Sequence, residues 1–394
     1  MDYLKESIAL HEKYKGKISV ESKMEIKDRH DLSLVYSPGV AGPCKAIAEN
    51  PEEVWNLTLK ANTVAVVTDG SAVLGLGNIG AKASIPVMEG KAILFKKFAG
   101  IDAFPICIDS QDTDKIVETV KLIAPVFGGI NLEDISAPRS FEIEERLQDI
   151  GIPVFHDDQH GTAIVVLAAL INASKIVGKK LVDISVVING SGAAGIAISK
   201  LLRCVDHSNN MACIPVREDV LCDRKGIIHK GRSDLNSSKA SVLSYSNPYN
   251  KSGTVQDALK GADVFIGVSS GGLLTADDIS TMSKDAIVFA LANPDPEIMP
   301  DEAKKGGAAI VGTGRSDLPN QVNNVLGFPG IFRGALDAKA RSITPEMKLA
   351  AAYAIAESID NPTPEKIIPP TLNMSVAKNV AKAVSKAAMT GVFH

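Results

Sequence analysis

Four carboxylates stand close together in the segment INLEDISAPRSFEIEERLQDIGIPVFHDDQHGTA, residues 130–163, at Glu133, Asp134, Asp157 and Asp158. Each pair follows an apolar run that is typical of a β-strand. Clustered acids repel one another, so such a group is costly unless a cation neutralises it. Because carboxylate oxygens suit Mg²⁺ or Mn²⁺, the segment predicts a divalent-metal site. The alternative is a set of solvated loop acids.

A glycine-rich motif follows in LVDISVVINGSGAAGIAISKLL, residues 181–202. A β-branched run leads into Gly190-x-Gly192-x-x-Gly195, and a helical pattern comes directly after it. Gly190 permits a tight turn, Gly192 lets backbone approach a pyrophosphate, and Gly195 allows close helix packing. The motif therefore predicts a dinucleotide site at these glycines and at Ala193 and Ala194, where the helix begins. A purely structural glycine turn is the alternative.

The same spacing occurs earlier, at Gly75, Gly77 and Gly80 in TVAVVTDGSAVLGLGNIG. Pro86 and Gly90 follow, and they are expected to break any long helix there. A pyrophosphate at this first motif would then lack a helix behind its turn. The second motif is thus the better cofactor loop, and the first either shapes backbone beside the substrate or is only a tight turn.

Cofactor choice should depend on the end of the next strand, where an acidic side chain binds the ribose diol in NAD sites. Asp223 ends the run Val-Leu-Cys and is the candidate, although it lies further from the glycines than the usual spacing. An inserted polar loop, DHSNN, accounts for the excess. Arg224 and Lys225 follow at once and could instead pair with a 2′-phosphate. The sequence favours NAD over NADP.

Composition agrees with a soluble enzyme: the chain has 394 residues, is 45% hydrophobic and carries a formal net charge of −4. A basic face for nucleic acid is lacking, and the longest apolar run, AIVVLAALI, is about half a membrane span. The N-terminus has no signal-peptide core, so we expect a cytoplasmic protein that begins with a helix. Five widely spaced cysteines predict free thiols. The histidines His30, His156 and His160 are expected to be polar loop residues.

Alternating strand and helix patterns predict an α/β fold with two lobes. We expect an N-terminal substrate- and metal-binding α/β domain at residues 1–160, a Rossmann-type doubly wound NAD(P)-binding domain at 161–335, and closing C-terminal helices at 336–394. A long helix from 161 to 177 would join the lobes. The predicted strands are TVAVVTDG, DAFPICID and IPVFH in the first lobe, and DISVVING, DVLCD, DVFIGVSS, AIVFALAN and GAAIVGTG in the second.

Ligands of open α/β sheets bind beyond the carboxyl ends of the strands. Two such ends in the second lobe, GVSSGGLLT and ALANPDPE, suggest contacts to a nicotinamide ring from Val268 and Ser269 and an amide from Asn293. Asn323 and Asn324 lie in the Pro/Gly-rich loop GRSDLPNQVNNVLGFPG. Together these neutral amides suit a substrate carboxylate.

The chain resembles malic enzyme in eight motifs that stand in family order between about residues 30 and 340. The resemblance implies an NAD(P)-dependent malate dehydrogenase (decarboxylating), which converts L-malate to pyruvate and CO₂ with a divalent metal, usually as a homodimer or larger oligomer. The motifs are YSPGVAGPC, TDGSAVLGLGNIG, MEGKAILFKKFAGID, NLEDISAP, FHDDQHGTA, NGSGAAG, ALANPDPE and GRSDLPNQVNNVLGFPG.

Carried over motif by motif, the resemblance makes Tyr36 the general acid and Lys91 the general base. Glu133, Asp134 and Asp158 correspond to the metal ligands, and Asp157 would orient the lysine or the metal ligands. Asn293 and Asn324 would bind the substrate carboxylate, with Asn323 as the neighbouring alternative.

Ala72 stands where longer family members carry a substrate-binding arginine. Arg315, or an arginine of a partner subunit, could replace that contact. Three other functions stay open: a malolactic-type lyase that retains its NAD, a metal-independent amino-acid dehydrogenase, and a catalytically silent dinucleotide sensor.

Overall fold

A computed structural model describes residues 3–73, 75–205, 207 and 213–390 of the chain. It contains two mainly parallel β-sheets flanked by helices, which confirms the predicted α/β class. The predicted loop DHSNN lies mostly outside the described residues. Within the described part of the chain, no helix is both long enough and apolar enough to cross a membrane.

The N-terminal segment is helical, as predicted, and lies on the surface. Within its described residues, none of its four α-helices contains a buried side chain. Lys17 attaches the segment to the rest of the molecule, because its backbone N–H donates to Glu89 Oε2 at 3.1 Å. The helices are α1 (Tyr3–Tyr14), α2 (Arg29–Val35), α3 (Ala41–Glu49) and α4 (Val54–Leu57).

The first sheet has four parallel strands in the order β2-β1-β3-β4. Its central strand β1 is buried on both faces: Val64 and Val66 pack with Phe95, whereas Ala65 and Val67 pack with residues of the opposite face. Such double burial explains the continuous apolar run. The elements are β1 (Thr63–Thr68), α5 (Gly80–Ala99), β2 (Asp102–Cys107), α6 (Thr113–Ile123), β3 (Gly129–Leu132), α7 (Arg139–Arg146) and β4 (Val154–His156).

Helix α5 contradicts the predicted break at Pro86 and Gly90, because it continues through both residues. A proline inside a helix removes one backbone hydrogen bond, and a glycine has low helix propensity. Here the apolar face of the helix is fully buried at Met88 and Phe95, and this burial outweighs both local costs. The prediction was therefore wrong because it weighed local propensity alone.

The second sheet has the order β10-β9-β8-β5-β6-β7, with only the short β7 antiparallel. All five predicted strands are present, and α8 confirms the predicted connecting helix. A five-residue π-helical turn, Asp157–Gly161, precedes α8. The elements are α8 (Thr162–Ile176), β5 (Ser185–Asn189), α9 (Ala193–Leu202), β6 (Glu218–Asp223), β7 (Gly226–Ile227), α10 (Ser237–Val242), α11 (Val255–Leu259), β8 (Val264–Gly267), α12 (Ala276–Ser280), β9 (Ala286–Ala290), α13 (Pro300–Lys305) and β10 (Ala308–Thr313).

Three C-terminal helices close the fold: α14 (Phe328–Asp337), α15 (Pro345–Ala356) and α16 (Met374–Thr390). Helices α14 and α16 approach closely at two glycines. A Cβ added to Gly330 would lie 2.7 Å from the backbone oxygen of Ala377, and one added to Gly334 would lie 2.5 Å from that of Ala381. Helix α14 also contacts α5, and α15 packs on α8. The predicted C-terminal helices are therefore present, and the first of them begins at Phe328, before the predicted border at residue 336.

The cysteine prediction was wrong for one pair, because Cys204 and Cys213 form a disulfide. Their Cα atoms are 6.0 Å apart, which lies within the range that a disulfide requires. The two cysteines are nine positions apart, and sequence spacing did not reveal their approach. Cys44, Cys107 and Cys222 are free thiols.

Candidate active site

A buried lysine lies at the centre of the candidate site. Lys91 occupies the inner face of α5, and its Nζ is 2.6 Å from Asp157 Oδ2 and 2.9 Å from Glu133 Oε1. The same Nζ lies 4.2 Å from the ring centroid of Phe328, which covers it. The ammonium group therefore has two carboxylate partners and little contact with water. The structure thus brings together three of the sequence-predicted residues.

Strand pairing brings the two acidic pairs together. In the parallel register of β3 and β4, Leu132 lies opposite His156, so that the residues after each strand are neighbours. The backbone N–H of Asp134 donates to Asp158 Oδ2 at 2.7 Å. One oxygen from each of Glu133, Asp134 and Asp158 can lie within 4.8 Å of the others. This oxygen-only donor set fits a hard divalent cation.

Burial strongly perturbs the acids of this cluster. It raises the pKa of Glu133 to about 7 and that of Asp158 to about 6, and the positive charge of Lys91 opposes both shifts. Burial likewise raises the pKa of Asp157 to about 7, while Lys91 acts in the opposite direction. Burial alone would lower the pKa of Lys91, but the two carboxylates next to it raise its pKa overall. Lys91 therefore holds its proton in this arrangement.

The two neighbouring asparagines have different positions. Asn324 Nδ2 donates to Asp157 Oδ2 at 2.5 Å, which places its amide beside the lysine. Asn323 instead accepts the backbone N–H of Val325 at 2.9 Å and caps a 3-10 turn, Asn324–Leu326. Of these two asparagines, Asn324 is the one that contacts the lysine cluster by a hydrogen bond.

The second glycine motif forms a tight turn between β5 and α9. Gly190 has φ +121°, and a Cβ there would lie 2.6 Å from the backbone oxygen of Val268. A Cβ on Gly195 would lie 1.7 Å from the oxygen of Gly190, so only glycine fits this position. Gly192 faces open space and precedes Ala193 and Ala194, the first residues of α9. The turn thus leaves room for a pyrophosphate at the helix N-terminus.

The strand ends beside this turn are joined by Glu297, a buried residue that the sequence analysis missed. Its Oε1 accepts the backbone N–H of Ser269 at 2.8 Å, and its Oε2 accepts that of Ala292 at 3.1 Å. Val268, in turn, donates its N–H to the oxygen of Asn189. Glu297 fixes both loops, and its only sequence signal is its place in ALANPDPE.

Asn293 follows β9, and its bond to Pro294 is cis. Gly75 of the first glycine motif lies next to this pair, since a Cβ on Gly75 would be 3.5 Å from Pro294 Cδ. The first motif therefore lies close to the loop that follows β9. Asn293 donates weakly to the oxygen of Leu291, at 3.3 Å.

Asp223 ends β6, but its carboxylate is already bound by two cations. Arg232 contacts both oxygens, at 2.8 and 3.0 Å, and Lys239 Nζ lies 2.6 Å from Oδ2. Burial would raise the pKa of Asp223, but these hydrogen bonds lower it to about 2. Lys225, one of the predicted cations, pairs with Asp234 instead. Sequence spacing gave no signal for Arg232 or Lys239.

Tyr36 makes no side-chain hydrogen bond to this cluster. It caps the end of α2, is 71% exposed, and its hydroxyl makes no hydrogen bond within the described part of the chain. Ala72 is close to the acids, because its N–H donates to the oxygen of Asp134 at 2.9 Å. Arg315 pairs with Asp317 on the surface.

Two family models match the chain: "Malic enzyme, N-terminal domain" at residues 15–148 and "Malic enzyme, NAD binding domain" at residues 159–389. A "Bifunctional malic/malolactic enzyme" of Bacillus subtilis is 56% identical and covers 100% of this chain and 95% of its own length. An "NAD-dependent malic enzyme" of Geobacillus stearothermophilus is 56% identical over 96% of this chain and 78% of the relative. An "NADP-dependent malic enzyme" of Halomonas elongata is 47% identical over 95% of this chain and 90% of the relative.

A solved structure of a malic enzyme is also similar to this chain. The crystal structure of an NAD-dependent malic enzyme from Thermotoga maritima has a TM-score of 0.91 and 50% identity. The alignment covers 96% of this chain and 98% of that one.

Proposed function

This chain belongs to the malic enzyme family, and from that premise we propose that its buried lysine cluster is the active site for the oxidative decarboxylation of L-malate. The enzyme is an oxidoreductase that produces pyruvate and CO₂ with NAD or NADP. One observation carries the proposal for the site: Lys91 contacts Asp157 and Glu133 at hydrogen-bond distance, and Glu133 also belongs to a group of three carboxylates that fits a divalent cation.

Glu133, Asp134 and Asp158 are the proposed ligands of Mg²⁺ or Mn²⁺. When bound, the cation supplies Lewis-acid stabilisation of the negative charge that develops on substrate oxygens. Glu133 and Asp158 are suited to this role because burial and repulsion by a neighbouring carboxylate raise their pKa values, and a positive ion would offset both effects. Asn324 and Asn293 would orient the substrate carboxylate, with Asn323 holding the turn behind Asn324.

Lys91 is the proposed general base for the 2-hydroxyl of malate. A base must be neutral before it accepts a proton, and two adjacent carboxylates now hold Lys91 in its charged form. Neutralisation of Glu133 would remove one of these charges and lower the pKa of the lysine. Asp157 would keep the amine in place, and Tyr36 would protonate C3 after CO₂ has left.

We propose that NAD is preferred over NADP. The ionised carboxylate of Asp223 repels a 2′-phosphate and can accept hydrogen bonds from a ribose diol. Arg232 and Lys239 weaken that repulsion, so some activity with NADP is expected. Asp223→Ala should raise the KM for NAD selectively, and Arg232→Ala should raise the KM for NADP more than that for NAD. An equal rise of both KM values in Asp223→Ala would contradict the ribose assignment.

The deciding experiment records absorbance at 340 nm with L-malate and Mn²⁺, using NAD and NADP in parallel and a matched sample with EDTA. We expect EDTA-sensitive cofactor reduction with pyruvate as the product. Turnover that survives EDTA would overturn the metal assignment, and absence of turnover with either cofactor would overturn the proposed reaction.

A malolactic activity is the second candidate, because a relative with 56% identity is named a bifunctional malic/malolactic enzyme. In that reaction, malate becomes lactate and CO₂ without net release of reduced cofactor. Lactate and pyruvate should be measured in the same reaction mixture. Lactate without NADH accumulation would identify this activity, whereas pyruvate in proportion to NADH would identify oxidative decarboxylation alone.

We also propose a homodimer that is formed through the N-terminal segment. Many large apolar side chains of this segment are exposed, and such a surface marks a contact with another protein. A second copy would also explain how exposed Tyr36 reaches a lysine cluster. The exposed side chains are Tyr3, Leu4, Ile8, Leu10, Tyr14, Ile18, Val20, Met24, Ile26, Leu32, Leu34 and Val40.

The division into residues 1–160, 161–335 and 336–394 stays part of the proposal. The first sheet ends at His156 and the second begins at Ser185, which supports a border at the π-helical turn.

A further inference from the structure

The first two and the next two residues of the π-helical turn contact different parts of the molecule. Asp157 contacts Lys91, and Asp158 accepts the N–H of Asp134. The next two residues, Gln159 and His160, turn away from the lysine and contact helix α7 instead. One short turn therefore connects the candidate active site to a second polar cluster behind it.

Glu144 of α7 is the acceptor in this second cluster. Its Oε2 accepts hydrogen bonds from Gln159 Nε2 at 3.1 Å and from His160 Nε2 at 3.0 Å. Its Oε1 accepts the backbone N–H of His156 at 3.1 Å, just before the turn begins. Only 9% of Glu144 is exposed. A single buried carboxylate thus binds the turn at three points.

His160 and His156 are not the polar loop residues that the sequence suggested, since His156 ends a buried strand and His160 lies in the turn. Burial lowers the pKa of His160, and nearby Lys348 of α15 acts in the same direction. His160 Nε2 lies 3.0 Å from Glu144 Oε2, and Lys348 Nζ lies 3.1 Å from His160 Nδ1 and 3.2 Å from its Nε2. A chain of hydrogen bonds therefore links α15, the turn and α7.

Burial alone would raise the pKa of Glu144, but His160 and Lys348 lower it to about 2. The carboxylate is therefore ionised at neutral pH and accepts all three hydrogen bonds, which are stronger for a charged acceptor. Loss of this group would leave the N–H of His156 and two side chains without an acceptor in a buried place.

We propose that Glu144 is a positioning residue that fixes the π-helical turn so that Asp157 holds Lys91 while Asp158 joins the carboxylates around the divalent cation. The inference rests on the function proposed above, because it assigns the turn a role in that site. Groups that orient metal ligands commonly change metal affinity by about 10- to 100-fold when they are removed.

The test measures Mn²⁺ affinity of the purified protein by isothermal titration calorimetry and follows amide hydrogen exchange at residues 156–162. Glu144→Ala should weaken Mn²⁺ binding about tenfold or more, lower kcat, and speed exchange in the turn. Glu144→Gln, which keeps one acceptor oxygen, should retain part of the affinity. Glu145→Gln is the matched control, because Glu145 is exposed on the same helix. All its values should match those of the wild type.

Unchanged Mn²⁺ affinity in Glu144→Ala, together with unchanged exchange in the turn, would overturn the positioning role. Lower thermal stability with wild-type Mn²⁺ affinity would overturn it too, because the residue would then be only structural. If Glu144→Ala does not fold, Lys348→Met tests the same chain of hydrogen bonds from its outer end. Failure of the wild type to bind Mn²⁺ would instead overturn the proposed metal site, and hydrogen exchange would still decide whether Glu144 holds the turn.

Discussion

Lys91 illustrates how a buried charge acquires a function. An ammonium group in an apolar place is costly unless it is paired, and here Asp157 and Glu133 both supply that pairing. The same contacts raise its pKa, so the free protein keeps the lysine protonated. Its proposed role as a base therefore depends on what neutralises the charges of Asp157 and Glu133.

Replacement of this lysine gives the first prediction. Lys91→Ala should lower kcat by about 10²-fold or more, because a general base contributes at least this much. Steady-state kinetics with malate and circular dichroism measure the change and the retained fold. The matched variant is Lys96→Ala, at the exposed end of the same helix, and it should keep full activity. Near wild-type kcat in Lys91→Ala would refute the assignment.

Some site residues could be predicted at this scale and others could not. Glu133, Asp134, Asp157 and Asp158 were recognisable because clustered acids after apolar strands have few structural explanations. Glu144, Glu297 and Arg232 were not, because a single acid or base in a helix or loop resembles a surface charge. Their burial depends on neighbours that are far away in the sequence.

The glycine turn before α9 shows how one element excludes side chains at one position and tolerates them at another. Gly195 packs against the oxygen of Gly190, whereas Gly192 faces open space. A side chain at Gly195 would therefore destabilise the fold, whereas a side chain at Gly192 would only obstruct a bound ligand.

The second prediction contrasts these two glycines. Gly195→Ala should lower the free energy of unfolding by about 1–3 kcal/mol, the usual cost of overpacking. Gly192→Ala should leave the melting temperature nearly unchanged but weaken NADH binding, because its Cβ would occupy the space beside the pyrophosphate. Thermal melts and NADH fluorescence titrations separate the two effects. Equal melting temperatures for the two variants would count against this account of the turn.

The third prediction concerns acid stability and the contact between α7 and the π-helical turn. The pKa of Glu144 is lowered to about 2 from an ordinary 4.5, so its ionised form favours the folded state. That contribution is fully present above about pH 4.5 and is lost as the pH falls towards 2. Glu144→Gln should therefore lose stability less steeply than the wild type over this range, as measured by urea unfolding. Glu145→Gln should retain the wild-type slope, and a wild-type slope in Glu144→Gln would contradict the assignment.

Sequence patterns predicted the strands and helices better than the places where a helix should break or the chain be cross-linked. The strands and α8 followed from periodicity, because burial on both faces leaves a continuous apolar run. Helix α5 did not, since its apolar packing outweighs Pro86. The disulfide between Cys204 and Cys213 also escaped prediction, because the close approach of these two residues depends on tertiary structure.

At the scale of the whole molecule, the N-terminal segment is the part that the single chain leaves incomplete. Its apolar side chains are exposed, and Tyr36 has no hydrogen-bond partner for its hydroxyl among the described residues. Composition could not predict this arrangement, because the type of an apolar residue does not indicate whether its own chain or another copy covers it.

The fourth prediction tests a site that is shared between two copies. Tyr36→Phe and Lys91→Ala should each be nearly inactive alone. After unfolding and refolding together in equal amounts, half of the dimers should be mixed, and one site in each should carry both intact residues. Activity should then recover to about one quarter of the wild-type value. The unmixed variants, refolded alone, are the controls, and no recovery in a mixture that contains mixed dimers would place Tyr36 in its own chain's site.

Helix α8 has a consequence for how the protein unfolds. Residues 163–174 are all buried, and the helix packs against both α9 and α15. Asn172 adds hydrogen bonds to the backbone oxygens of Ala356 and Ile367, each at 2.9 Å. Because this one helix begins at the π-helical turn and is held by the C-terminal region, we expect the two lobes to melt in one transition on heating. Enzyme activity should therefore be lost in the same thermal transition as the folded structure of both lobes.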